Sequence, residues 1–358
     1  MHTTSKTDVR SLMHTGRMLY DGVPYFDLQR AGEQVVHLDQ WFDFWAAAGE
    51  RYERMGEEAL AAGARLSGGE WLWQASLSFH YAQFMWFHDP ARRERGQRRK
   101  VELYNRAAPN LWPPAERIEI DVEGSTIPGF LRMPPGRRPE KGWPCVLLLG
   151  GLESTKEESY QFENLCLRRG IATFAFDGPG QGEVFFQLKL QPQFERYTSA
   201  VIDRLEKQDE LDSNRLGVLG RSLGGFYALR SGAGDDRLRA VVAWAFFHDM
   251  DDFEEMPEHT QEGFLYVAGG SRDQLLEALD LSDIAADLRA PTLLLNGRND
   301  PIFPPRQMER TIGALTNAAL EVVIEPDGDH CCHNMGNIVR PRMADWLARQ
   351  LGAQEVRR

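Results

Sequence analysis

Short apolar runs separated by helix-length segments characterise the chain after residue 115. The runs are too short for buried helices and are rich in Val, Ile and Leu, as strands covered on both faces are. In chain order they are CVLLLG, IATFAF, RLGVLG, AVVAW, PTLLLNG and ALEVVIE. Two alternating stretches before them, ERIEIDV and TIPGFLRM, predict an antiparallel pair. We therefore predict an α/β fold with a mostly parallel, eight-stranded sheet.

The first ~110 residues follow a helical pattern instead. One predicted helix follows Asp39 as its N-cap, and another is opened by residues 67–70 (SGGE), which have the spacing of a capping box. A third is predicted to begin at Asp89-Pro90, a cap residue followed by a helix-first proline.

Residues 108–114 (APNLWPP) break this pattern and mark a domain boundary. The sequence thus predicts a helical region over 1–114 and an α/β catalytic domain over 115–358. Within the latter, we expect a cap insertion near 247–285.

Composition limits the choice of partners. The chain has 358 residues and a net charge of -12, which argues against a nucleic-acid partner. The basic stretch 91–100 (ARRERGQRRK) is interpreted as a solvated helix face. No apolar run approaches the ~18 residues of a membrane span, and the N-terminus lacks the apolar core of a signal peptide. The four cysteines do not form a disulfide pattern, so we expect a cytoplasmic protein.

The stretch GVLGRSLGG (217–225) contains Gly-x-Ser-x-Gly between a predicted strand and a predicted helix. A strand-to-helix turn this sharp needs a strained serine, and the flanking glycines remove side chains that would clash. Ordinary turns also use glycine and serine, but the strand–helix context favours Ser222 as a nucleophile.

A serine nucleophile needs a histidine base and a carboxylate that orients it, and on this scaffold they follow in the order acid, then histidine. Asp300 lies just past the predicted strand PTLLLNG, and His330 lies in the loop DGDHCCHN after the last strand. His333 is the rival base. Asp327 and Asp329 are rival acids, although they are too close to the histidine in sequence to orient it easily.

The oxyanion of an acyl-transfer intermediate needs two backbone N–H donors. One is expected from Leu223, which follows the serine, and the other from Leu152, which follows Gly150-Gly151 after the third strand. FDGPGQG (176–182) is interpreted as a tight structural turn near the site.

A metal site is not predicted. His330, Cys331, Cys332 and His333 form a run of possible zinc ligands. Zinc sites usually separate their cysteines by two or more residues, however, and adjacent cysteines point apart.

These residues resemble the α/β-hydrolase superfamily. Within it, GGLESTKEES, FDGPGQGE, GVLGRSLGG and DGDHCCHN together resemble the 2,6-dihydroxypseudooxynicotine hydrolase family of carbon–carbon bond hydrolases, and the likeness extends into the N-terminal region through WFHD and RKVELYNRAAP. The resemblance implies Ser222, Asp300 and His330 as the triad. It also implies that residues 1–114 form a cap over the active site and that the protein is a homodimer.

Substrate contacts are expected from two regions. The stretch SFHYAQFMWFH carries more aromatic surface than one helix face needs, so we predict that His80, Tyr81 and Trp86 contact substrate. The family resemblance implies a further acid near the substrate, for which Glu254 is chosen by position. The stretch FFHDMDDFEE departs from the family pattern here and offers other acids, namely Asp249, Asp251, Asp252 and Glu255.

The implied reaction is hydrolysis of the acyl–carbon bond of a ketone next to a hydroxylated aromatic or heteroaromatic ring, through an acyl-enzyme and without a cofactor. The substrate is expected to be a small aromatic ketone or ester. A carboxylesterase or amidase with the same triad is the alternative, because the triad does not distinguish the leaving atom. A prolyl-oligopeptidase-like peptidase is disfavoured, since the helical N-terminal region is too short for a β-propeller. A ligand receptor on the same scaffold, which binds without turnover, is the alternative from a different class. Loss of a triad residue would favour it, and all three are present in the sequence.

Overall fold

The computed structural model describes residues 14–84 and 86–356. The chain divides into two compact units, Met1–Pro114 and Ala115–Arg358. The predicted helical region therefore includes residues 1–13 and residue 85, which lie outside the described residues. Among those that are described, no helix combines the length and the apolar character needed to cross a membrane.

The first unit is helical throughout its described part. Its α-helices are α1 (Thr15–Asp21), α2 (Tyr25–Gln34), α3 (Leu38–Ala61), α4 (Arg65–Gln83) and α5 (Pro90–Ala107). Helices α3 and α4 approach each other closely at glycines. A Cβ added at Gly68 would lie 2.6 Å from Leu60, and one at Gly56 would lie 2.8 Å from Leu72. Glycine is needed at these positions because the helices leave no room for a side chain.

Two of the three predicted helix starts were wrong, and close packing accounts for the first. Helix α4 begins at Arg65, so residues 67–70 lie inside it and do not form a capping box. Their glycines serve the contact between helices. Helix α3 begins at Leu38 after His37, whose backbone N–H donates to Gln40 Oε1 at 3.1 Å. Asp39 is thus in the first turn and not the cap, a position where the helix dipole favours a carboxylate.

The third start is confirmed. Helix α5 begins at Pro90, and the Asp89 carboxylate accepts the Arg92 backbone N–H at 3.0 Å. The bond satisfies one of the N–H groups left unpaired at a helix start, and proline occupies a position whose missing N–H costs nothing.

The second unit contains the predicted eight-stranded sheet. Its strands are β1 (Ala115–Val122), β2 (Ser125–Arg132), β3 (Trp143–Leu149), β4 (Ala172–Phe176), β5 (Leu211–Arg221), β6 (Leu238–Trp244), β7 (Thr292–Gly297) and β8 (Leu320–Glu325). The order across the sheet is β1-β2-β4-β3-β5-β6-β7-β8. Strands β1 and β2 form the predicted antiparallel pair, β2 is also antiparallel to β4, and the other pairings are parallel.

Helices cover both faces of the sheet. They are α6 (Tyr160–Arg168), α7 (Glu195–Leu205), α8 (Leu223–Gly234), α9 (Glu258–Val267), α10 (Arg272–Ala278), α11 (Pro305–Ala314) and α12 (Gly336–Gln350). Alternate residues of β3 enter different cores: Cys145, Leu147 and Leu149 pack with α7 and α8, whereas Val146 and Leu148 pack with α6 and α12. This two-sided burial explains why the parallel strands appear in the sequence as unbroken apolar runs.

The chain reverses its direction across the sheet between β3 and β5. From β3 it passes to β4 on one side, then returns to β5 on the other side. Ligands of open α/β sheets bind in the crevice that such a reversal leaves at the carboxyl ends of the strands. Between β6 and β7, the segment predicted near 247–285 contains α9 and α10.

Candidate active site

Ser222 occupies a strained turn between β5 and α8. Its φ of +57° and ψ of −119° lie in a region that side-chain-bearing residues rarely adopt. The two glycines of the motif make the turn possible. A Cβ added at Gly220 would lie 1.7 Å from the Gly224 carbonyl oxygen, and one at Gly224 would lie 2.3 Å from the Leu149 carbonyl oxygen. The glycines of Gly-x-Ser-x-Gly thus let the strand, the helix and β3 meet at the serine.

Asp300 and His330 join Ser222 in a hydrogen-bonded chain. His330 Nε2 lies 3.0 Å from Ser222 Oγ, and His330 Nδ1 lies 2.8 Å from Asp300 Oδ2. The other carboxylate oxygen, Oδ1, accepts the backbone N–H groups of Ile302 at 2.8 Å and Phe303 at 3.1 Å. Both oxygens of Asp300 are therefore occupied, which fixes the direction in which the carboxylate faces the imidazole.

The rival residues have other contacts. The Asp329 carboxylate accepts the Asn334 backbone N–H at 3.3 Å, and the Asp327 carbonyl accepts the Asn334 side-chain amide at 2.8 Å. The His333 ring packs against Trp244, with 6.0 Å between ring centroids. These contacts shape the loop after β8 and leave His330 as the histidine that faces Ser222.

Two opposing effects act on the pKa of His330. Burial of the imidazole lowers it, whereas the Asp300 carboxylate, followed by Cys331, raises it, and the net result lies well above the ordinary 6.5. The arrangement therefore stabilises the imidazolium that would form if His330 took a proton from Ser222.

One predicted oxyanion donor follows Ser222 in the chain, and the other lies in a loop that approaches the serine turn. Leu223 is the first residue of α8, and Leu152 lies in the β3 loop, defined here as residues 150–155. The loop touches the serine turn, since a Cβ added at Gly151 would lie 3.1 Å from Ser222 Cβ. Within residues 14–84 and 86–356, neither the Leu223 nor the Leu152 N–H has a hydrogen-bond acceptor. Both are available to a ligand oxygen.

Arg221, inside the Gly-x-Ser-x-Gly motif, holds the C-terminal part of the β3 loop. Its guanidinium donates to Ser154 Oγ at 2.8 Å and also to the Glu158 carboxylate. It lies 5.7 Å from the Trp244 ring. The contact links the serine strand to the β3 loop. Sequence reasoning missed it, because the middle positions of the motif accept many residue types.

A buried charge cluster lies beside the β3 loop. Glu157, Asp177 and Glu183 are close enough together to ligate a metal ion. The ammonium of Lys156 lies between them instead, 2.6 Å from each glutamate and 2.7 Å from the aspartate. Burial lowers the pKa of Lys156, but the three carboxylates raise it well above its usual value, so the side chain stays charged. Lys156 thus supplies the cationic charge that a metal would bring.

The predicted acid Glu254 lies at the surface. Its side chain is 66% exposed and pairs with Arg272 at 2.9 Å. Among the described residues, the structure does not bring the Glu254 carboxylate into contact with the triad. The four alternative acids face two arginines of α11. The pairs are Asp249 and Asp251 with Arg310, and Asp252 and Glu255 with Arg306.

His80, Tyr81 and Trp86 are buried and make aromatic contacts in the helical unit. The Tyr81 hydroxyl donates to Asp21 Oδ2 at 3.0 Å, and its ring lies 4.9 Å from the His80 ring. Trp86 packs on His88, with 4.2 Å between centroids. These contacts all lie within the helical unit.

Comparisons with known proteins agree with the fold and the motifs. The sequence profile of the prolyl oligopeptidase family matches residues 165–354. The 2,6-dihydropseudooxynicotine hydrolase of Paenarthrobacter nicotinovorans is 45% identical over 344 residues, which are 94% of this chain and 91% of that protein. The hydrolyase ccsE of Aspergillus clavatus is 30% identical over 301 residues, covering 76% of this chain and 68% of that protein.

A crystal structure of 2,6-dihydroxy-pseudo-oxynicotine hydrolase superposes with a TM-score of 0.88 at 43% identity. The superposition covers 96% of this chain and 97% of that one. The α/β-hydrolase fold and the resemblance predicted from the sequence are thereby confirmed.

Proposed function

Because this chain belongs to the prolyl oligopeptidase family of α/β-hydrolases, we propose that it is a serine hydrolase that cleaves the carbon–carbon bond between an acyl group and a hydroxylated aromatic or heteroaromatic ring. The observation that carries the mechanism is the hydrogen-bonded chain from Ser222 through His330 to Asp300. The bond type is supported by the identity of 45% with a 2,6-dihydropseudooxynicotine hydrolase.

In the proposed reaction, Ser222 Oγ attacks the ketone carbonyl while His330 Nε2 takes its proton. The N–H groups of Leu223 and Leu152 hold the resulting oxyanion. As the carbon–carbon bond breaks, His330 gives its proton to the departing ring carbon, which leaves an acyl group on the serine. Water, deprotonated by His330, then releases the acid. The balance is ketone plus water to carboxylic acid plus arene, with no redox step.

A carbon leaving group demands more of the site than an alkoxide does. The ring must accept the electron pair of the broken bond. It can do so when a ring hydroxyl group has tautomerised to a ketone, so the site has to hold the ring in that form. A side chain that hydrogen-bonds those hydroxyl groups would serve this step. We propose Glu254 for this role. Its surface ion pair with Arg272 is worth only ~0–1 kcal/mol, so the carboxylate can leave Arg272 and bind a substrate hydroxyl at little cost.

The bond type is tested with two substrates. Wild-type protein is expected to hydrolyse a dihydroxyphenyl alkyl ketone, with the acyl product identified by mass spectrometry, as well as an activated ester. Glu254→Gln is expected to lower ketone cleavage roughly tenfold, as loss of one hydrogen bond to a charged group would, and to leave ester cleavage unchanged. Glu258→Gln, an exposed change in the same segment, is the control.

Rapid ester cleavage without detectable ketone cleavage would instead make this protein a carboxylesterase. Equal losses on both substrates in Glu254→Gln would show that Glu254 does not bind the substrate ring. The role would then be tested at the other acids of the segment, Asp249, Asp251, Asp252 and Glu255.

The pH dependence follows from His330. The imidazole must be neutral to accept the serine proton, so kcat/KM should be lost as the pH falls through its pKa. Since that pKa is raised, the acid limb is expected above 6.5 in a profile of kcat/KM against pH with the activated ester. Asp300→Asn should move the residual limb to lower pH. A wild-type limb below 6.5 would contradict this account of the site.

We further propose a cytoplasmic homodimer in which residues 1–114 form a cap over the active site and His80, Tyr81 and Trp86 contact the substrate. The family resemblance supports the dimer and the cap. Four free, buried cysteines support a reducing compartment. The three triad residues and the two oxyanion donors need no metal or organic cofactor for the proposed chemistry.

A further inference from the structure

The loop after β4 is organised around one buried glutamine. Gln181 is 2% exposed. Its backbone N–H donates to the Gly178 carbonyl at 3.0 Å, and its side-chain oxygen accepts the Gly178 N–H at 3.1 Å. The main chain and side chain of Gln181 thus hold the same residue from two directions, which restricts the side chain to one conformation.

The amide nitrogen of Gln181 faces the β3 loop. It lies 2.6 Å from the Gly150 carbonyl oxygen and 3.4 Å from the Gly151 carbonyl oxygen. The orientation of the amide is therefore determined, since the Gly178 N–H requires an acceptor and the two carbonyl groups require a donor. A reversed amide would lose every one of these bonds.

This contact bears on the proposed oxyanion donor. The Gly151 carbonyl and the Leu152 N–H belong to the same peptide unit, and in a trans peptide they point in opposite directions. The groups that hold the Gly151 carbonyl, which are the Gln181 amide at 3.4 Å and the Ser154 backbone N–H at 3.1 Å, therefore also set the direction of the Leu152 N–H. The peptide lies against the serine turn, because a Cβ on Gly151 would lie 3.1 Å from Ser222 Cβ.

We propose that Gln181 is a positioning residue for the oxyanion hole: it holds the carbonyl side of the β3 loop so that the Leu152 N–H faces the developing oxyanion. The inference rests on the proposed function of Ser222. A glutamine suits the task because it donates to two carbonyl groups without adding a charge that would perturb His330. Arg221 restrains the same loop further along, at Ser154.

The test uses Gln181→Glu, which keeps the acceptor for Gly178 and replaces the donor by an oxygen that repels both carbonyl groups. Gln181→Met, of similar length and without charge, is the second variant. Gln187→Glu is the matched control, since Gln187 is exposed and, within residues 14–84 and 86–356, its side-chain oxygen accepts only the Thr126 N–H, at 3.4 Å. The probes are a fluorophosphonate, which forms a bond to the serine oxygen as fluoride leaves, and an aryl trifluoromethyl ketone, whose adduct carries an oxyanion.

In both Gln181 variants we expect phosphonylation and ester kcat to fall roughly 10²-fold, the effect of a misaligned oxyanion donor. The trifluoromethyl ketone should bind more weakly by a similar factor, whereas KM and the pH of the acid limb should be unchanged. Active-site titration should still reach the full amplitude. Gln187→Glu should match the wild type in each measurement.

Rates within threefold of wild type in both Gln181 variants would overturn the proposal. So would a reduced titration amplitude with an unchanged rate per active site, because that result describes a folding defect. If Gln181→Glu does not fold, the result for Gln181→Met decides. Failure of the wild type itself to react with the fluorophosphonate would contradict the proposed nucleophile, a result distinct from any effect of Gln181.

Discussion

Ser222→Ala is expected to abolish turnover, lowering kcat by about 10⁶-fold, because it removes the hydroxyl that forms the acyl-enzyme in the proposed mechanism. Stability should change little, since alanine and serine are of similar size and the hydroxyl bonds only His330 among its described contacts. Hydrolysis of the ketone and the activated ester, measured together with the thermal unfolding midpoint, checks both expectations.

Ser154→Ala is the control for Ser222→Ala. It removes another buried hydroxyl beside Gly151, one that accepts from Arg221, and it should retain activity within about tenfold. A tenth or more of wild-type activity in Ser222→Ala would exclude Ser222 as the nucleophile.

Asp300→Asn is expected to lower kcat by roughly 10³–10⁴-fold. The asparagine oxygen can still accept the N–H groups of Ile302 and Phe303. Its NH₂ group then faces His330 Nδ1 and forces that nitrogen to act as an acceptor. The imidazole proton moves to Nε2, which can no longer accept the proton of Ser222. Single-turnover acylation with the activated ester measures the loss directly.

Asp327→Asn and Asp329→Asn provide matched controls for Asp300→Asn, because both acids lie close to His330 in the sequence but contact Asn334 in the structure. Each should retain most of the activity. If either lost as much as Asp300→Asn, the orienting carboxylate would have to be reassigned.

The elements that could be predicted from the sequence are those determined by residues that are neighbours in the chain. Strands such as β3, β4 and β7 are buried along their whole length and leave continuous apolar runs, whereas β1 alternates buried and exposed positions. Both patterns could be recognised in the sequence. Ser222, Asp300 and His330 could be predicted because each follows the end of a strand, namely β5, β7 and β8, in the order nucleophile, acid, histidine that this fold uses. The start of α5 was also predictable, because Asp89 and Pro90 determine it within one turn.

What the sequence did not reveal depends on contacts between distant segments. The residues SGGE have the spacing of a cap, yet Gly68 is there because Leu60 of another helix passes 2.6 Å from the position of a Cβ. Gln181 lies in a glycine-rich stretch that was interpreted only as a turn, and its proposed role depends on carbonyl groups 31 and 30 residues away. Lys156 is surrounded by acids from two loops, which no local pattern indicates.

The segment between β6 and β7 leaves and re-enters the sheet at adjacent strands, since β6 and β7 pair directly. Ser222, Asp300 and His330 all lie outside it. Two surface arginines of α11, Arg306 and Arg310, form ion pairs with acids of this segment. Under the proposed role of Glu254, substitutions in this segment would alter ligand preference during evolution while the catalytic residues, which lie outside it, stay unchanged.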